Sequence, residues 1–439
     1  MHDQYGVETS ASSSTEIDGY ARALRAFHCY RGDPTEIIAP TLEQSPDFAM
    51  GLILHGHVNV SMWERSVVEE VGATVAKLDA LEGKMNEREK MHTHALRQWT
   101  RGDWDGARTT LELLIAKYPR DILALQMGHL CDFYHGDREN LRGRVARVLA
   151  HWTNEDEAYP FLLGMLAFGL EECADYGKAE EAARHALDLV AEDCWAHHAI
   201  THVFEMQARQ DEGIAFMESR EPHWAQPDSG FRFHNWWHLG LFHLDNDRFD
   251  QVLDIYDRGV REDAESVQLM MVDATAMLWR LHLRDVDVGE RWDELVDKFA
   301  AAEHEAGFYA FNDMHAAFAF AASGRHDDLK NRLAAAKLAM ANGTTNAMMT
   351  KVVGLPVLEG IVAFAERRYS DAVAELLPVR YRANAFGGSH AQRDIIHRTL
   401  IEAAMRAQDV SLAKSLIEER QQLRPSCPFS WRLSASVSH

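Results

Sequence analysis

Apolar residues along this chain recur three and four positions apart, in stretches separated by short polar turns. Leu111, Leu114, Ile115 and Tyr118 form one such stripe, which is the spacing of a single helix face. A small polar turn followed by an apolar helix start repeats along the chain: Gly102 to Ala107, Gly136 to Leu141, Gly177 to Ala182, Gln210 to Ala215, Asp247 to Val252, Gly324 to Leu329, Arg367 to Ala372 and Gln408 to Ala413. The first residues of these turns are 34, 41, 33, 37, 77, 43 and 41 positions apart. The interval of 77 spans two units, and the unmarked turn falls near Asp285 to Gly289. Each unit therefore reads as a helix of roughly 14 residues, a turn and a second helix. Asp33, Pro34 and Glu36 read as N-cap, N1 and N3 of a further helix ahead of the first counted turn.

A period of about 34 residues or slightly more is that of tetratricopeptide hairpins; ankyrin repeats need a β-turn and a TPLH-like element that this chain lacks. The expected fold is all-α, a right-handed superhelical solenoid of about nine or ten tetratricopeptide-like hairpins over residues 16–439. Residues 1–15, polar and Ser-rich, read as a disordered tail. Composition narrows the class further. Asp and Glu outnumber Lys and Arg by 68 to 45, a formal charge of -23, so a phosphate backbone is an unfavourable partner. Five scattered cysteines without a CxxC read as reduced thiols, and no apolar signal segment opens the chain. No run of eighteen apolar residues occurs, which argues against a membrane span. The expected setting is cytoplasmic.

Histidine changes the picture. Of 24 histidines, seven fall between 197 and 243: His197, His198, His202, His223, His234, His238 and His243. Repeat packing does not ask for imidazoles, so their concentration calls for a site. On an ideal helix His198, His202 and Glu205 fall at about 0°, 40° and -20°, one narrow face. Such a set suits a divalent metal or a base oriented by an acid. His234 and His238 repeat the spacing of four in the next unit. The register supplies an independent sign: His198, Asn235, Asp273 and Asn312 stand twelve positions before successive turns, His238 and His315 nine before, and His202 eight before. These positions line up across four repeats, either in the groove or in a seam between helices. Trp237 reads as packing or as the wall of a ligand pocket.

A second candidate is Gly387 to Asp394. Gly387, Ser389 and Ala391 mimic a nucleophile elbow, yet no strand precedes them, so Ser389 is rejected as a nucleophile. Ser389 with Gln392 reads as a capping box, and His390 with Arg393 could hold an anion at that helix start. HExxH, Walker A, GxGxxG and paired CxxC motifs are all absent from the sequence, so no cofactor is expected from a motif.

Several of these stretches resemble one known family, tetratricopeptide repeat protein 38 and its bacterial relatives. They are Trp195 to Met206, His234 to Leu244, Leu278 to Leu281 and Gly387 to Asp394, with Pro46 to Gly51 and Ile255 to Asp257 in support. The likeness runs from about residue 19 nearly to the C-terminus, and Gln207-Ala208-Arg209 departs from it where a glycine is expected before the arginine. The resemblance implies helical repeats and a shared site at the histidines, and assigns no reaction.

The sequence thus supports a small-molecule site with metal-free acid-base chemistry, hydrolysis or another proton transfer. His202 with Glu205 would be the acid-base unit, beside His198 and His234. Trp237, His238, Asp273, Asn312, His315, His390 and Arg393 would form the substrate wall, with Arg393 as anion anchor. Two alternatives stand beside it: a protein-interaction scaffold without catalysis, and a metal-dependent hydrolase using His198, His202 and Glu205.

Overall fold

A computed structural model of the chain describes residues 1–262 and 267–436. Apart from two isolated β-bridges, the regular structure of these residues is helical and arranged as antiparallel pairs. The first five pairs are α1 (Ser14–Cys29) with α2 (Pro34–Gln44), α3 (Ala49–Ser61) with α4 (Val68–Ala80), α5 (Glu87–Thr100) with α6 (Trp104–Lys117), α7 (Ile122–Tyr134) with α8 (Arg138–Val148), and α9 (Tyr159–Glu172) with α10 (Tyr176–Leu189). Four more follow: α11 (Cys194–Met206) with α12 (Gln210–Trp224), α13 (Arg232–Asp245) with α14 (Phe249–Ile255), α15 (Gln268–His282) with α16 (Arg291–Ala301), and α17 (Ala310–Ala322) with α18 (His326–Ala339). Next, α19 (Thr345–Met349) passes through a π turn into α20 (Leu355–Ala365), which pairs with α21 (Tyr369–Leu376). The chain continues with α22 (His390–Arg406), α23 (Val410–Leu423) and α24 (Pro428–Ser436).

The turns read from the sequence mark reversals between two helices of one pair, including the unmarked one between α15 and α16, but the segments from Gly177 and Gln210 lie inside α10 and α12, and the reversals there are made just upstream at Ala174 and Ala208. Asp33 caps α2 by accepting the Thr35 N–H at 2.7 Å, with Pro34 in the first turn. Two pairs, not one, precede the first counted turn. The missed pair is α3 with α4, because its turn uses Trp63 at φ 55°, where a glycine or aspartate would have marked it. Most other turns also hold one left-handed residue: Gly102, Gly136 and Gly324 where glycine was read, and Ala174, Ala208, Asp247, Arg367 and Gln408 elsewhere.

First helices such as α7, α13, α15 and α17 are buried on nearly all sides, whereas second helices bury one stripe, as Leu111, Leu114 and Ile115 do on α6. The continuous stretch Thr345–Ala365 is long and apolar enough to cross a membrane by length and composition; 61% of its most apolar window is buried inside the protein, as in a core helix.

Residues 1–13 differ from the disordered tail expected of them. Asp3 accepts the N–H groups of Tyr5 and Val7 at 3.0 and 2.9 Å and pairs with Arg88 at 3.0 Å, while Glu89 accepts from Thr9 and Ser10. Ser and Thr here serve as local hydrogen-bond formers, which composition alone does not distinguish from solvated polar chain. The single solenoid expected from the sequence divides by its contacts into two compact units, Met1–Ala199 with Gln226–Phe231 and Ile200–Ala225 with Arg232–His439. A stack in which each pair touches mainly its neighbours has no common core to prevent such a division.

Candidate functional site

The candidate site lies in the second unit and is built from α11 after residue 199, α13, α15, α17 and the C-terminal helices. His202 and His238 are fully buried, and their rings meet edge to face with centroids 4.5 Å apart. His234, one turn before His238, is half-buried; its ring lies 4.7 Å from that of His238 and stacks on Trp237. Each of His202, His234 and His238 offers a ring nitrogen within 4.8 Å of the others. Four tetrahedral nitrogens around zinc at about 2.0–2.1 Å stand roughly 3.3 Å from one another. The three imidazoles thus need to close by at most about 1.5 Å to share an ion.

Their orientation is set from behind. The Nδ1–H of His234 donates to Asp273 Oδ2 at 2.7 Å, and His238 Nδ1 lies 3.4 Å from Glu205 Oε2. Both rings therefore turn Nδ1 toward a carboxylate. A carboxylate behind a ring nitrogen fixes the tautomer and raises the basicity of the other nitrogen. Glu205, expected as the acid of His202, in fact stands between His238 and Arg424, whose Nη1 is 3.3 Å away.

The remaining predicted residues divide into those that join this interior and those that do not. Asp273 is buried, with Oδ1 without a hydrogen-bond partner among the described residues. Asn235 is buried with neither amide atom bonded among the described residues, and Asn312 Oδ1 is likewise unpaired among them. Buried polar groups are rarely left so, and several in one row mark an interior made for polar contents. His315 donates from Nδ1 to the Phe311 carbonyl at 2.8 Å, which leaves Nε2 as a buried acceptor. Burial holds its pKa down at about 3, with the charge of Arg280 adding to the effect. The row read from the repeat register is thus an interior seam. His198, one turn before His202 on α11, belongs to the first unit, where its ring packs against Phe168, Trp195 and Phe231 with centroids 4.9, 5.6 and 5.2 Å away.

At the start of α22 the capping box is present: Ser389 Oγ accepts the Gln392 N–H at 3.3 Å, and Gln392 Oε1 accepts the Ser389 N–H at 3.1 Å. Gly387 and Gly388 take φ 86° and 77°, and any Cβ at Gly388 would fall 2.5 Å from the Phe311 ring. Arg393 turns back to donate to the Gly388 carbonyl, with His390 Nδ1 3.4 Å from its guanidinium. Gly388 serves close packing on α17, and Arg393 is directed at its own backbone.

Sequence reasoning missed a group of arginines. Arg398 pairs with Asp245 and Asp394 at 2.7 Å each, Arg420 also binds Asp394, and Arg424 reaches Glu205. Burial alone would raise the Asp394 carboxyl; the charges of Arg420, Arg398 and Arg424 hold it well below its usual range. Arg280 is 2% exposed and bonds to the carbonyls of Ala276 and Ala391 at 2.8 and 2.7 Å. Its guanidinium lies 5.4 Å from the Trp237 ring. A signal for it existed: Arg280 falls seven residues after Asp273, two turns along the same face.

No family model matches the chain. Among solved structures it is similar to yeast Tom70, at 13% identity over 92% of this chain and 84% of that one, with a TM-score of 0.37. It is similar to human IFIT1, in a dimer with PPP-AAAA, at 11% identity over 97% and 94% with a TM-score of 0.45. A tetratricopeptide repeat protein from Parabacteroides merdae matches at 12% identity over 72% of this chain and 98% of that one, with a TM-score of 0.33. All three TM-scores lie below 0.5, and nothing about the imidazole site follows from these similarities.

Proposed function

We propose that this protein is a helical-repeat enzyme acting on a small molecule, with a divalent transition metal held by His202, His234 and His238. The observation that carries the reading is the convergence of three imidazole nitrogens within 4.8 Å, two of the rings being backed by Asp273 and Glu205. Three protein ligands leave a coordination position for water or substrate, the arrangement of a catalytic rather than a structural zinc. A bound ion there would lower the pKa of its water and supply a nucleophile for hydrolysis. His234, the half-buried member, gives the approach from outside.

The dyad of His234 and Asp273 also supports the metal-free reading, in which His234 is the general base and Asp273 orients it. Membership of the tetratricopeptide repeat protein 38 family is part of the proposal: the stretch from His234 to Leu244 supplies two ligands, and Gly387 to Asp394 supplies the carboxylate shared by Arg398 and Arg420. Five free cysteines fit a reducing, cytoplasmic setting.

The test is metal content of tag-free protein by elemental mass spectrometry, after dialysis and after reconstitution with zinc. About one ion per chain is expected, falling to background in His202→Gln/His238→Gln. Protein that stays empty after reconstitution, or a double variant that keeps its ion, overturns the metal site and leaves the metal-free dyad. In that event His234→Gln should abolish turnover in substrate screening while the fold survives; turnover that persists would remove the dyad as well.

A further inference from the structure

Arg280, Arg284 and Arg398 meet around a small cavity in the second unit, closed on its other sides by Leu283, Ile401 and Phe429. Arg284 is paired with Asp247 at 3.1 Å, and Arg398 with Asp245 and Asp394. Arg280 has no carboxylate partner among the described residues; its bonds are to two backbone carbonyls. Glu402, which also lines the cavity, is taken by Arg406. In the surrounding block Arg280, Arg398, Arg420 and Arg424 are buried, and the carboxylates paired among them are Glu205, Asp245 and Asp394. Four buried guanidinium groups share three carboxylates, in a chain whose net charge is -23. An excess of buried positive charge is costly unless an anion offsets it. The strain is visible at Arg280, whose pKa is drawn down to about 10 by burial and then by the charge of Arg398.

We propose that this cavity binds a small carboxylate, with Arg280 as its principal partner and Arg398 beside it. Two of the five guanidinium N–H donors of Arg280 are used by the backbone, so donors remain for a forked contact with two oxygens. The cavity is small, about 20 Å³ in volume, and so limits the ligand to a small anion. The apolar side chains of Leu283, Ile401 and Phe429 suit a short carbon tail. The Trp237 ring, which stacks on His234, lies 5.4 Å from the Arg280 guanidinium. None of His202, His234 and His238 lines the cavity, so the carboxylate site does not require a metal at the imidazoles, and its test separates the two.

The experiment is isothermal titration of the full chain with sodium acetate in chloride-free buffer, with sodium phosphate as control at matched ionic strength. Wild type is expected to bind one acetate per chain and to ignore phosphate. Arg280→Met is expected to weaken acetate binding at least tenfold, with Arg280→Lys in between. His202→Gln/His238→Gln is expected to bind acetate as wild type does, even though it loses the metal. Should Arg280→Met fail to fold, crystals of wild type soaked in bromide give a second reading, an anomalous peak between Arg280 and Arg398. No acetate binding by wild type, equal binding of phosphate, acetate affinity unchanged in a folded Arg280→Met, or bromide absent from the cavity would each overturn the proposal.

Discussion

His315 offers a direct measure of what burying an imidazole in this seam costs at low pH. Its Nδ1–H is held by the Phe311 carbonyl, its ring is fully buried, and the charge that acts on it is the guanidinium of Arg280. The folded-state pKa of about 3 lies below the unfolded value of 6.5. Below pH 6.5 the unfolded chain takes up a proton that the native protein refuses. Stability is therefore complete above the unfolded pKa and is lost as pH falls toward the folded one. For one such group the loss between pH 7 and pH 5 is about 2 kcal/mol. His315→Gln keeps an amide donor near the same carbonyl and removes the titration. Whatever constant cost the variant carries at pH 7, the stability gap between wild type and variant should shift by about 2 kcal/mol in the variant's favour at pH 5. In melting temperature that is about 4–8 °C for a unit of this size. Urea denaturation followed by circular dichroism at pH 7, 6 and 5 reads it. A gap that stays constant across the three pH values would refute the assignment of a neutral, proton-refusing His315.

Three further outcomes test other parts of the structure. Ala208 turns α11 into α12 at φ 56°, where a side chain is strained, so Ala208→Gly should raise stability by about 1 kcal/mol, read from the urea midpoint at constant slope. Asp121 accepts from Arg88 Nε at 2.5 Å and from His92 Nε2 at 2.9 Å in the first unit, with all three buried. Asp121→Ala leaves Arg88 short of one carboxylate and should cost about 3–5 kcal/mol by the same measurement. Asp273→Asn exchanges the acceptor behind His234 for an amide and should weaken zinc binding by about 10–100-fold, measured by competition with a chromophoric chelator.

The sequence by itself determined the repeat and marked the polar residues of the first helices. Spacing of turns placed the helix pairs from α5 to α23, because a hairpin must reverse direction and the reversal leaves small or polar residues at a fixed period. It also picked out His202, His234, His238, Asp273 and His315, because imidazoles and carboxylates on first helices have no role in apolar packing. Where the turn was made by Trp63 instead of glycine, the pattern was silent. Only the tertiary structure decided who faces whom. It gave Glu205 to His238 and Arg424 instead of His202, and it placed His234, not Asn235, on Asp273. A rotation of one residue about a helix moves a side chain by about 100°, and no local pattern fixes that angle between two helices. Arg280 illustrates the other limit. As a residue type it reads as surface; its burial depends on α22 closing over α15, a contact made across 111 residues of chain.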